Sequence, residues 1–165
     1  MTSELKVDTI SNAAGTSAIS IDSSGRIKLS NPIAFHVRGT GTQAWTGSAH
    51  EQNLALTSVV ENIGNGYSTS TYKFTCPVSG VYLFYGQYTN TVNGSNGPEM
   101  YIRNETSNTL IGRAIGYHHS YIAHHAQGVL ECNAGDVIEC VVINHNGSTV
   151  TVDKGRSCFG GYLVA

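Results

Sequence analysis

The chain has 165 residues, enough for one domain with a short appendage and a real core. Its formal net charge is −2, only 12% of its residues are Asp, Glu, Lys or Arg, and its cations are scattered, so no basic stripe offers nucleic acid or acidic lipid an electrostatic footprint. No apolar run approaches the roughly 20 residues of a membrane-spanning helix, which excludes insertion by that route.

The first 30 residues read differently from the rest. Val7 and Ile10, Ile19 and Ile21, and Ile27 and Leu29 form very short apolar pairs, separated by the turn-rich stretches 11–16 and 22–25. Pieces of two or three strand residues do not hold a fold alone. They make sense where several chains intertwine and share a thin core; a flexible arm is the alternative. Residues 1–8 carry no apolar run of the secretory kind, so a protein made and assembled in a cytosol is expected.

From Pro32 onward the pattern is strand throughout, in a second region over 31–165. Strands are expected at 33–37 and 54–60, with a polar Gly/Thr stretch between them and a turn at 62–67. In 72–76, Phe74 and Cys76 alternate with Lys73 and Thr75, as a strand with one buried face requires. Pro77 removes a ladder donor and Ser79-Gly80 supplies turn chemistry. The stretch 81–88 is apolar or aromatic on both faces and is expected to be covered twice, by the opposite sheet and by a neighbouring subunit. A long loop at 90–98 follows. Further strands are expected near 100–103, 109–116, 120–131, 137–144 and 158–164. With no helical periodicity, this spacing indicates an all-β sandwich. Nine tyrosines and few charges leave large uncharged surfaces, which favours a homo-oligomer.

Cys76, Cys132, Cys140 and Cys158 lack the paired spacing of a zinc site. Cys132 and Cys140 flank an expected hairpin turn at 133–136. Centred there, the register pairs Cys132 with Val137 and Cys140 with Val129, on opposite faces, which argues for buried free thiols rather than a bridge.

Four stretches in order carry a family resemblance: Ile33-Ala34-Phe35, the segment 72–85, the segment 128–138 with its Gly135-Asp136 turn, and Phe159-Gly160-Gly161-Tyr162-Leu163-Val164. Together they resemble the globular head of the complement one-q family, which shares its architecture with tumour necrosis factor. The resemblance implies a ten-stranded jelly-roll sandwich assembling as a trimer with its N-termini gathered at the base. The segment spanning 5–27 resembles sequences in tail-fibre and other virion proteins of bacteriophages. With no Gly-X-Y stalk, that short intertwined β segment would trimerise the chain and attach it to a particle through Leu5, Val7, Ile10, Ile19 and Ile21. The implied function is a trimeric phage fibre or spike, located in the virion and assembled in the host cytoplasm. Its partners would be itself, other virion proteins and a host surface glycan or protein. The alternatives are a head-decoration or tail-assembly trimer without a receptor, and a non-viral bacterial binding module.

Catalysis finds no signature: there is no Gly-x-Ser-x-Gly elbow, His-Glu-x-x-His helix or phosphate-cradling glycine loop. Non-enzymatic binding without a cofactor is therefore expected. The run 118–125 holds four histidines. As a strand it would place His118 with His124 on one face and His119 with His125 on the other, about 20 Å apart within each pair. That is too far for one metal ion, yet three-fold symmetry would gather copies into rings able to hold a metal or an anion. Ordinary hydrogen bonding is the competing reading, and a pH-sensitive trimer a third. For adaptable polar recognition the candidates are Asn93, Asn96, Tyr117, His119, Tyr121, His145 and Asn146.

Overall fold

The computed structural model describes residues 5–46, 50–91, 98–115, 121–145 and 149–165, the side chains of Trp45 and His50 excepted. Two compact units divide the chain, Met1–Pro32 and Ile33–Ala165. In the smaller, β1 (Thr9–Ser11), β2 (Ser17–Ile21) and β3 (Ile27–Leu29) form an antiparallel meander. Its turns are built by short acidic and amide side chains. Asn12 Oδ1 accepts from the Ala14 and Thr16 N–H groups at 3.0 and 2.9 Å, and Asp22 Oδ1 from Ser24 and Arg26 at 2.9 and 3.0 Å. The register sets Ile10 opposite Ile19, Ile19 opposite Leu29 and Ile21 opposite Ile27. All five therefore share one face, with Thr9, Ser20 and Lys28 on the other. Within the unit that apolar face has little cover: Ile10, Ile27 and Leu29 are 48%, 69% and 64% exposed.

The larger unit continues with β4 (Ala34–Arg38), β5 (Thr42–Trp45), β6 (His50–Asn53), β7 (Ser58–Ile63), β8 (Tyr67–Ser68), β9 (Lys73–Thr75) and β10 (Gly80–Thr89). It closes with β11 (Glu99–Asn104), β12 (Thr109–Ile115), β13 (Ala123–Cys132), β14 (Val137–Asn144), β15 (Val150–Asp153), a 3-10 turn at Lys154–Arg156 and β16 (Cys158–Leu163). A five-stranded sheet runs β13-β10-β16-β4-β7. A six-stranded one runs β12-β11-β14-β9-β8, with β6 also pairing β14. These two paths form a jelly-roll sandwich, and β15-β5 is a separate two-stranded ribbon. The core between the sheets is aromatic. Phe35 stacks on Phe74 at 4.2 Å and meets the Phe159 ring edge-on at 4.9 Å, while Tyr82 stacks on Phe84 at 5.7 Å. Such pairs add to the burial of their area.

Phe74 and Cys76 face inward as their alternation requires. In β10 the inward Tyr82, Phe84, Gly86 and Tyr88 are buried, whereas Val81, Leu83, Tyr85 and Gln87 are half-buried. One of the two expected covers is thus the opposite sheet.

Four expectations need correction. The turn at 133–136 is not a hairpin, because β13 and β14 lie in different sheets. It is an arch across the sandwich edge: Cys76 N–H donates to Asp136 O, and Gly135 N–H to Cys76 O, both at 2.8 Å. Asp136 Oδ2 accepts from the Asn133 N–H at 2.9 Å and from Asn104 Nδ2 at 3.0 Å. The register assumed for Cys132 and Cys140 falls with the hairpin, although all four cysteines are free. Leu54 and Leu56 are 1% and 0% exposed but belong to no strand, since β7 starts at Ser58. The polar stretch before them contains β5 and β6. Finally, the strand expected from 120 begins at Ala123, because Tyr121 takes φ 67° in the left-handed region.

Candidate functional site

The outward face of the five-stranded sheet is ordered in rows by its register. One row crosses all five strands as Val129, Leu83, Tyr162, Ala34 and Ile63. It is apolar or aromatic throughout, and Val129, Tyr162 and Ile63 are 59%, 46% and 42% exposed. The next row is Gln127, Tyr85, Gly160, His36 and Glu61; the third is His125, Gln87, Cys158, Arg38 and Ser58. Polarity rises along the strands, from an oily end to a cationic one.

Gly160 is what allows the middle row to close. A side chain there would run into the ring and hydroxyl of Tyr85, which crosses over it to reach His36 Nδ1 at 2.9 Å. Burial pushes the Tyr85 hydroxyl above its ordinary range. Partial burial, and then the neighbouring Arg38 charge, hold His36 below the usual imidazole value.

Beyond that pair lies a concavity of about 250 Å³ lined by His36, Arg38, Gln87, Arg156, Ser157 and Cys158. The 3-10 turn builds its far wall. Asp153 Oδ1 caps the turn by accepting from Gly155 N–H at 2.9 Å, and Ser157 Oγ donates to Asp153 O at 2.6 Å. Strand side chains tie the turn to the sheet: Arg38 Nη2 donates to Gly155 O at 2.9 Å, and Gln87 Nε2 to Arg156 O at 2.7 Å. The Arg156 guanidinium stands over the Tyr121 ring at 4.8 Å, within cation–π range.

The six-stranded sheet carries a second groove, about 340 Å³, on its own outward face; Glu99, Tyr101, Arg103, Arg113 and His145 are among its lining residues. Here every cation has an acid. Arg113 and His145 meet the two oxygens of buried Glu99, His145 Nε2 at 2.9 Å. Arg103 joins buried Glu139, reaches Glu51 at 3.4 Å and lies over the Tyr101 ring. Lys73 joins Glu105 at 2.6 Å and Glu139 at 3.4 Å. Burial works against the Lys73 charge, but the two carboxylates outweigh it and hold its pKa above the ordinary value. This charge network is self-compensated.

Of the residues singled out in the sequence, Tyr121 borders the cationic concavity and His145 the compensated groove. His124 is half-buried on the inner face of β13 and stacks on Tyr88 at 4.9 Å. Asn93, Asn96, Tyr117, His118, His119 and Asn146 lie outside the described residues. Among the described residues of one chain, no three His, Cys, Asp or Glu are grouped to hold a metal ion. In the small unit, Ile10, Ile19 and Ile21 share the apolar face, while Leu5 and Val7 precede its first strand. Arg38, Arg156, Glu99, Tyr101 and Arg103 were not singled out. Glu99, Tyr101 and Arg103 could have been, because they alternate at period two with apolar Met100 and Ile102.

Two antiparallel sheets in these strand orders define a jelly-roll head of the tumour-necrosis-factor kind. The C1q domain family matches residues 34–164, and the chain belongs to that family. Solved structures agree on the fold. The globular domain of zebrafish complement 1qA is 17% identical with a TM-score of 0.57, over 81% of this chain and 98% of that one. Murine APRIL is 15% identical with a TM-score of 0.63, over 81% and 99%. Eiger TNF from S. frugiperda is 14% identical with a TM-score of 0.62, over 82% and 94%.

Proposed function

We propose that the protein is a homotrimeric, non-enzymatic binding module of a bacteriophage virion, a fibre or spike whose C1q head contacts the host surface. The observation that carries the self-association is the apolar row Val129, Leu83, Tyr162, Ala34 and Ile63; the virion placement rests on the resemblance of the segment 5–27 to phage fibre sequences. The row crosses all five strands of the sheet with no charged residue in it, and such a surface is stabilised when another copy covers it. The apolar face of the small unit supports the same reading, since a three-strand meander with one bare face gains its core from other chains. That face, with Leu5 and Val7, is then the part given to assembly and particle attachment. A trimer also multiplies weak contacts to a surface glycan or protein through avidity.

Mass spectrometry of purified virions, followed by adsorption competition with the purified protein, tests the reading. Presence in the particle and competition with adsorption are expected. Absence from virions overturns the virion role. Presence without competition leaves a decoration or tail-assembly trimer and removes the receptor contact.

A further inference from the structure

The two outward grooves differ in one respect that chemistry makes consequential. In the six-stranded sheet each cation meets a carboxylate. Among the described residues, the lining of the concavity in the five-stranded sheet contains two guanidiniums and no Asp or Glu. Arg38 donates to a neutral carbonyl. Arg156 has Asp153 Oδ2 at 3.5 Å, while that residue's other oxygen is held by the turn it caps. Glu61 is the acid of the neighbouring row and faces His36 from β7; His125 faces Gln87 from β13. In a chain with only nine Lys and Arg, three of them, Arg38, Lys154 and Arg156, fall in the two segments that make this corner.

We infer that this concavity is an oxyanion-binding site, which takes a carboxylate or phosphate group between Arg38 and Arg156 with Gln87 and His36 as neutral partners. Guanidinium forks match such groups, and charge-assisted hydrogen bonds to them are the strong ones. The turn and the sheet hold the site from both sides through backbone carbonyls, so it is formed before a ligand arrives. Tyr121 under Arg156 adds an apolar edge on which a sugar ring carrying the anion can rest. This goes beyond the virion reading, because the folded head binds the anion wherever the protein resides.

The test is calorimetric titration of the assembled protein with inorganic phosphate, glucuronate and glucose. Phosphate or glucuronate should bind and glucose should not; whichever anion binds more tightly tells a phosphorylated polymer from an acidic sugar as the source. Arg38→Gln and Arg156→Gln should each weaken binding about tenfold, with Lys28→Gln as the control that leaves it unchanged. Equal affinity in the Arg38→Gln/Arg156→Gln double variant, an equal loss in Lys28→Gln, or glucose binding as well as glucuronate, overturns the inference. Should the arginine variants fail to fold, phosphate-induced shifts in the NMR spectrum of the unaltered protein decide it. Shifts centred on His36 and Gln87 support the site, and shifts centred elsewhere overturn it.

Discussion

Glu139 shows how a single side chain on the outside of a sheet becomes structural. Its carboxylate is 4% exposed, accepts from Arg103 Nε at 2.8 Å and draws Lys73 to 3.4 Å. Removing one partner of a buried pair leaves the others uncompensated, but Arg103 keeps Glu51 and Lys73 keeps Glu105. Glu139→Gln should therefore cost about 2 kcal/mol in urea unfolding, at the lower side of buried-pair losses. Glu105→Gln, on the exposed side of the same lysine, should cost less than about 1 kcal/mol; equal losses would contradict this account. His36 gives the opposite case, a charge the fold disfavours. Its folded pKa lies below the ordinary 6.5, so the folded state's advantage is full above that value. As pH falls below it the unfolded chain takes up the proton first, and stability drops until the folded pKa is passed. The melting temperature should fall as the pH drops below about 6.5, and fall less in His36→Gln. Parallel curves for the two proteins would remove this group as the cause.

At the scale of elements, the sandwich closes along one side by backbone rather than side-chain contact. Gly112 of β12 has no room for a Cβ, which would come within 2.7 Å of Gln127 O, and Gly128 of β13 faces the Ile111 carbonyl more closely still. Gly128→Ala should cost about 3 kcal/mol or more, because neither backbone can retreat without breaking a ladder. Gly135 differs: it has open space around it but φ 92°, so Gly135→Ala should cost about 1 kcal/mol through conformation alone. Denaturant midpoints of the two variants separate packing from conformation. These elements also mark what the sequence makes legible. The alternation of Phe74 and Cys76, and the two-faced β10, reveal strands because apolar period two is their direct consequence. β5 and β6 escape because short polar strands carry no such period, and β15 because its Val150 and Val152 alternate over four residues only. The arch at 133–136 passes for a hairpin because Asn, Gly and Asp serve both, and only the sheet order tells them apart. The cationic corner was hidden for another reason. Arg38 and Arg156 are remote in sequence, and it is the β4–β16 register with the 3-10 turn that brings them to one wall.

For the whole molecule, the gradient along the five-stranded sheet makes self-association and ligand binding separable. The apolar row and the cationic corner occupy opposite ends of one face, two register steps apart. A carboxylate placed in the apolar row has to be desolvated when a neighbour covers it, at a cost of several kcal/mol per copy, and a trimer with equivalent interfaces meets that cost three times. Val129→Glu and Tyr162→Glu should therefore dissociate the assembly. Sedimentation should show the mass of one 17.5 kDa chain in place of three, with the strand signal in circular dichroism retained, because both side chains are already exposed in the single chain and the core does not use them. Lys28→Gln, outside the row, should keep the mass of three. If both carboxylate variants sediment as the unaltered protein does, the row is not what holds the copies together, and that contact lies elsewhere. If they dissociate yet still bind phosphate, the corner works within one chain. Loss of both together would instead mean that the neighbouring copy completes the oxyanion site.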